Sequence, residues 1–418
     1  MSGWNTSVIV WSMIASAGIG ASPAPAQAQA TPQAAAAQSV AAAETPQQHP
    51  GWLQLSADWI QARFGSGIAK DGFYPEFGGM PPDSGIAAGP GYRHRFMDRR
   101  AVISASGVYS TSRGSFGQAT LELPDLMARH LSAGVQVKRQ DFTRISYFGV
   151  GPSSAKGNRT NYGLHNTDYV AFVSVKPKHQ LTIGGHVGFS RQVDVARPRA
   201  ANHPPTQDLF TEATAPGLTA SPAFLHSDAY IDLDTRDHPS RPTSGGDYRA
   251  TFLNDHDRDF GLYSFRRFEA EGSQFMSVHE GSVIVVRGRV VASGTPSGNT
   301  VPFYMLPALG GSRSLRGYED YRFVDRNLLV LNAEYRWTVL GALDTALFYD
   351  AGQIAPQFGD LGLNNLRTSY GVGFRYHSDQ KTFVRFDIGR SQAGTRFLIG
   401  VGEVFGPGHG AITIPYVP

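Results

Sequence analysis

The 418-residue sequence contains no cysteine, which excludes a disulfide framework and leaves the fold to non-covalent forces. Only 17% of its residues are charged and the net charge is +3; with no arginine-rich run, that balance excludes a nucleic-acid-binding surface. Beyond the amino-terminal region no run of about 18 or more apolar residues exists, so no membrane-spanning helix is expected. Signatures of catalysis are also missing. There is no G-x-S-x-G elbow, and "FGVGPSSAKG" lacks the G-x-x-x-x-G-K spacing of a phosphate loop. The 13 histidines form no His-x-x-x-His pair. "NDHDRD" (254–259) has the residue types for a cation but reads more simply as a solvated loop. No enzyme activity, cofactor or metal is expected.

What is present begins with "MSGWNTSVIVWSMIASAGIGASPAPAQAQA". An apolar core from Val8 to about Ile19, followed by Ala-x-Ala sites ending at Ala28 and Ala30, has the order of a secretory signal, although no Lys or Arg precedes the core. Residues 1–30 are therefore expected to be a signal peptide and the Ala/Gln/Pro-rich 31–50 a linker. In 51–66, Trp52, Leu55, Trp59, Ile60 and Phe64 fall at helical spacing and predict a short amphipathic helix.

From about residue 67 the period becomes two. In "ALDTALFYDAG" one face carries Asp344, Phe348, Asp350 and Gly352, the other Leu343, Leu347 and Tyr349. "SYGVGFRY", "VIVVRGRVV" and "KTFVRFDIG" alternate in the same way. A soluble sandwich alternates too. Two features favour a membrane barrel: polar faces rich in glycine and paired charges, and apolar faces with aromatics such as Trp337, Tyr349 and Tyr376 near strand ends. The Arg287/Arg289 pair fits such a lumen, as charge balance for acids or as an attractor of anions.

Connection lengths also alternate between long and short, as in an outer-membrane barrel. About fifteen strands can be counted, and an even number requires one more, placed around "DGFYPEF". The expected fold is an all-β, sixteen-stranded antiparallel transmembrane barrel over 67–405, with 406–418 as a carboxy-terminal extension.

"LPALGGSRSLRGYEDYRF" (306–323) sits in a long external connection, and Gly310, Gly311 and Gly317 permit it to fold tightly inward. Arg316 would then need an acidic acceptor on the lumen face, and parity offers Asp350, whose carboxylate suits a bidentate guanidinium. "GGSRSLRGYEDYRF", "NAEYRW" and "LFYDAG" resemble the barrel signature of the BamA/TamA-type outer-membrane assembly superfamily, the bacterial surface antigen barrels. The resemblance implies a loop motif Leu315, Arg316, Gly317 and Tyr318 inside the barrel, meeting an acceptor strand of Phe348, Asp350 and Gly352. It extends to a turn motif of Asp234, Arg236, Asp237, Pro242, Thr243 and Gly245, and to "YFGVGPSS" (147–154). The family's periplasmic polypeptide-transport-associated (POTRA) domains find no room in the roughly 36 residues between cleavage site and barrel. Family barrels also end on an aromatic residue, whereas here Phe405 is followed by thirteen residues, 406–418.

The resemblance implies a bacterial outer-membrane protein that inserts or translocates polypeptide, or lipid, by opening a seam between its first and last strands. "FLIGVGEVF" places Gly400, Gly402 and Phe405 at that seam, where glycines weaken cross-strand packing. Expected partners are outer-membrane lipid, client polypeptides and a periplasmic partner. The alternative is a passive pore or structural surface antigen without insertase activity.

Overall fold

A computed structural model describes residues 71–405 apart from positions 79, 99, 128, 129 and 379–381. The expected signal, linker, amphipathic helix and 406–418 extension lie outside the described residues. Gly72–Phe77 forms β1, the sixteenth strand expected around "DGFYPEF", followed by β2 (Ala87–Phe96), β3 (Ala101–Ser110) and β4 (Ser115–Leu126). The longest strands are β5 (Leu131–Tyr147), β6 (Thr160–Lys178) and β7 (Leu181–Ala196). After them come β8 (Phe224–Asp234), β9 (Gly245–Asp257), β10 (Phe265–His279) and β11 (Ser282–Gly294). Two dipeptide strands, β12 (Ala308–Leu309) and β13 (Phe323–Val324), pair inside the following loop. The barrel wall resumes with β14 (Asn327–Leu340), β15 (Leu343–Ala355), β16 (Arg367–His377), β17 (Thr382–Ser391) and β18 (Gly394–Val401).

All sixteen wall strands belong to one sheet in which each pairs antiparallel with its neighbour, from β1 through β11 and β14 to β18. No helix among the described residues is long and apolar enough to cross a membrane. Strands β5 to β7 run several residues further than the sequence period marks, past bulges between Phe142 and Ile145 and between His165 and Thr167. Bulges break the period of two while leaving the ladder intact, so alternation underestimates strand length there.

The parity holds in three dimensions. On β15, Asp344, Phe348 and Asp350 are buried inside, whereas Leu347 and Tyr349 are 49% and 52% exposed. β18 shows the same outward apolar row in Phe397, Ile399 and Val401. Exposed apolar side chains on an outward face are what hydrocarbon solvates.

The interior is filled from the long-loop end. The connections after β7, β9 and β11 meet in an aromatic cluster against the ends of β5 and β6, with Phe303 contacting Tyr147, Tyr162 and Tyr304 at centroid distances of 4.7, 4.8 and 5.4 Å. Glu212 locks this cap by accepting hydrogen bonds from Gly217 N, Thr219 N (2.9 Å), Thr219 Oγ1 (2.8 Å) and Tyr263 Oη (2.7 Å). Burial raises the pKa of that carboxyl, but these donors outweigh it and hold it below the usual value.

Candidate functional site

Beneath the cap, the segment 310–318 descends into the lumen. Gly310 and Gly311 have φ of +121° and +95°, and a Cβ on either would lie 2.2 Å or less from Glu319 O or Asp320 Oδ1. That glycine pair turns the chain inward. Leu315 and Tyr318 are buried against Leu309, Phe323, Leu328 and Val330 and anchor the tip on the inner wall. Gly317 is required for another reason: a Cβ there would stand 2.8 Å from Arg390 C, Ser369 Cβ and Ser391 Cβ. Its carbonyl accepts from Ser391 Oγ at 2.7 Å.

Arg316 is 1% exposed. Its backbone N–H and Nε donate to Asp350 Oδ2 at 3.1 and 3.0 Å, and Nη2 donates to Oδ1 at 2.7 Å. Nη1 donates to Glu334 Oε2 at 2.6 Å. The guanidinium carbon lies 3.4 Å from the centroid of the Phe348 ring, a cation–π contact. Asp350 is completed by Asn332 Nδ2 (2.8 Å) and Ser369 Oγ (3.1 Å). Gly352, on the same face, leaves room for Leu309, whose Cδ1 would be 2.7 Å from a Cβ. The structure thus brings the loop motif and the acceptor strand together.

The network is wider than the sequence indicated. Glu334 also accepts from Arg336 Nε (2.7 Å) and Arg375 Nη2 (3.0 Å), and Arg375 Nη1 donates to Asp387 (2.7 Å). Arg287 bridges Glu271 (2.8 Å), Asn332 (3.0 Å) and the carbonyl of Arg313 (2.6 Å). Buried charges are tolerable only when paired and hydrogen-bonded, as Arg316, Glu334, Arg336, Asp350 and Arg375 all are. The missed signal was parity: Asn332, Glu334 and Arg336 of "NAEYRW" share the inner face of β14.

The seam motif needs correction. β18 stops at Val401, so "FLIGVGEVF" is not a strand throughout. Gly400 lies on its inner face, where a Cβ would be 2.4 Å from Arg385 Nε. Gly402 lies past the strand end at φ +76° and turns the chain inward. Glu403 then accepts from Arg336 at 2.7 and 2.8 Å, and Phe405, 2% exposed, packs against Phe275, Val283 and Val285. Phe405 is an interior residue, not the lipid-facing end of the last strand.

The turn motif lies at the short-turn end. Arg236 pairs with Asp234 at 2.7 and 2.9 Å and reaches Asp247 at 2.8 Å. Asp237 accepts from the backbone N–H groups of His238 (2.8 Å) and Thr243 (2.9 Å) and from Thr243 Oγ1. Gly245 has φ +86° and no space for a Cβ, and Pro242 is buried. Arg241 extends across to Asp344 on β15 at 3.1 Å, so the turn forms a strap over that mouth. On the β4–β9 side toward the same end lies a polar cavity of about 430 Å³, lined by residues including Lys176, His186, Tyr230 and Asp232. No cluster of three or more metal-ligating side chains occurs among the described residues.

The Omp85 superfamily domain matches residues 102–405, nearly three quarters of the chain. The chain belongs to the Omp85 superfamily. Its fold is similar to BamA from Haemophilus ducreyi lacking POTRA domains 1–3, with a TM-score of 0.60 at 14% identity over 80% of this chain and 70% of that one. CdiB from Escherichia coli gives a TM-score of 0.51 at 12% identity, covering 78% of this chain and 61% of the other. At these identities the likeness shows the fold alone. Comparison with curated protein sequences found no match. Membership places this Omp85 barrel in the outer membrane.

Proposed function

We propose that this Omp85 barrel inserts or translocates polypeptide, or lipid, at the outer membrane by separating β1 from β18. Family membership supports insertion or translocation in general, and the packed lumen favours a route through the wall over a standing pore. The observation that carries this reading is the buried Arg316–Asp350–Glu334 cluster, which fixes a loop across the interior that a passive pore would leave open. The edge strands support it: β1 has 6 residues and β18 has 8, against 17, 19 and 16 for β5, β6 and β7. Among the described residues no backbone ladder joins β1 to β18, so both are edges of the sheet, and an exposed edge can template an incoming strand.

The test uses the absence of native cysteine. Cysteine pairs placed along β1 and β18 are oxidised, and insertion of a client barrel into vesicles containing the full-length protein is measured. Oxidation is expected to abolish insertion and reduction to restore it; full activity in the cross-linked form would exclude seam opening.

A further inference from the structure

The outward face of β5–β7 carries a second feature, unrelated to the lumen. Val137, Tyr169 and Phe189 are register partners on the three strands and are 41%, 46% and 39% exposed. Together with Val135, Val173, Val187 and Ile183 they form an apolar belt. It is seven to nine residues deep along each strand, from Leu131 on β5, Val175 on β6 and Leu181 on β7, which at the tilt of a barrel strand covers roughly 16–23 Å and so most of an outer-membrane barrel's apolar band.

One row further toward the long-loop end, the register partners are Arg139, Thr167 and Arg191. Both arginines are exposed and point outward by parity, between inward residues such as Lys138 and Ser190. Arg139 Nη1 donates to Thr167 Oγ1 at 2.8 Å, and neither arginine has a carboxylate within ion-pair distance among the described residues. The next row outward carries two acids, Asp141, engaged by His165 (3.0 Å) and Arg199, and Asp194, which accepts from Ser221 Oγ at 2.9 Å. Gln192, at φ +47°, marks the bulge that follows Arg191 and sends Val193 inward, so Arg191 stays on the outer face at the strand's last regular position.

Alternate strands of a sheet lie about 9.6 Å apart, so the two guanidinium groups straddle Thr167 at that spacing. Uncompensated arginines at the edge of an apolar belt face the headgroup layer, and their planar fork matches phosphate oxygens in a bidentate fashion. Tyr169 directly beneath is of the type that settles at that interface. We propose that Arg139 and Arg191, with Thr167 between them, form an exterior site for the phosphates of an anionic, multiply phosphorylated lipid of the outer leaflet. The site depends on the barrel's residence in the membrane and not on how the lumen or seam works.

The test exposes full-length protein in neutral detergent to lipid A bearing two phosphates, to monophosphoryl lipid A and to phosphatidylethanolamine, and reads retained lipid by native mass spectrometry. The bisphosphorylated lipid is expected to be retained preferentially by the wild type. The double variant Arg139→Gln, Arg191→Gln should lose about tenfold in retention, equivalent to a charge-assisted hydrogen bond's worth of affinity, while its heat-modifiable migration is unchanged. Millimolar inorganic phosphate should not displace the lipid; displacement would identify a free-anion site and overturn the proposal. Equal retention of all three lipids by the wild type, or undiminished retention by the folded double variant, would also overturn it.

Discussion

Arg336 and Glu403, separated by 67 residues in sequence, form a two-point ion pair at 2.7 and 2.8 Å. Through Arg336, Glu403 is joined to Glu334, and through Glu334 to Arg316 and Arg375. The residues after the last strand therefore share one charge network with the latched loop. Glu334, with side-chain exposure of 0%, is its hub. Separation of β18 from the wall cannot leave this hub undisturbed, because the tail that follows β18 is one of its ends.

Removing the Glu403 charge should release the tail without unfolding the barrel, since Arg336 keeps Glu334. A cysteine at Val404, which is 3% exposed, is expected to react slowly with an impermeant maleimide in the wild-type background. In Glu403→Gln it should react about tenfold faster or more, the consequence of losing a charge-assisted pair of about 1.5–3 kcal/mol. Equal rates would show that the tail is held by Phe405 packing alone.

Arg316 should tolerate no substitute. Alanine leaves the carboxylates of Asp350 and Glu334 buried with one cation fewer, a loss of about 3–5 kcal/mol. Lysine restores the charge but not the fork that serves both acids, nor the flat face on Phe348. Both variants are expected to lower the temperature of heat-modifiable migration, Arg316→Ala the more. In planar bilayers both should convert a small flickering conductance into a larger one as the loop leaves the lumen. Wild-type migration and conductance for Arg316→Ala would remove the latch from the account.

Much of this was legible because a barrel strand writes its two solvents into alternate residues. Parity alone put Asp350 inside beside Phe348, and the Leu315-Arg316-Gly317-Tyr318 motif named its partner. The hub was harder to read. Glu334, Arg375 and Asp387 lie on three different strands, and only the inter-strand register brings them within 3 Å of a common partner or of each other. The end of β18 did carry a signal. Phe397, Ile399 and Val401 point outward, so continuing the strand would aim Glu403 to the lipid side and away from the lumen arginines. An acid at that parity means the strand stops, and Gly402 supplies the turn.

The strap gives a prediction in pH. Burial raises the pKa of Asp237, but hydrogen bonds from Thr243 Oγ1 and from the N–H groups of Thr243, His238 and Ser244 outweigh it and hold it at about 2. A carboxyl with a depressed folded pKa stabilises the turn above its unfolded pKa, about 3.9, and that contribution disappears as pH falls through the folded value. Hydrogen-exchange protection of the Thr243 and His238 amides should therefore be constant at pH 5 and above and decline between about pH 4 and pH 2. Asp237 is largely exposed, so the loss stays local to residues 235–244 and the barrel remains folded. In Asp237→Asn the same amides should be less protected at pH 6 and show no such decline. Protection that falls equally in both forms would place the acid sensitivity elsewhere, with Asp234 and Asp247 around Arg236 as the next groups to replace.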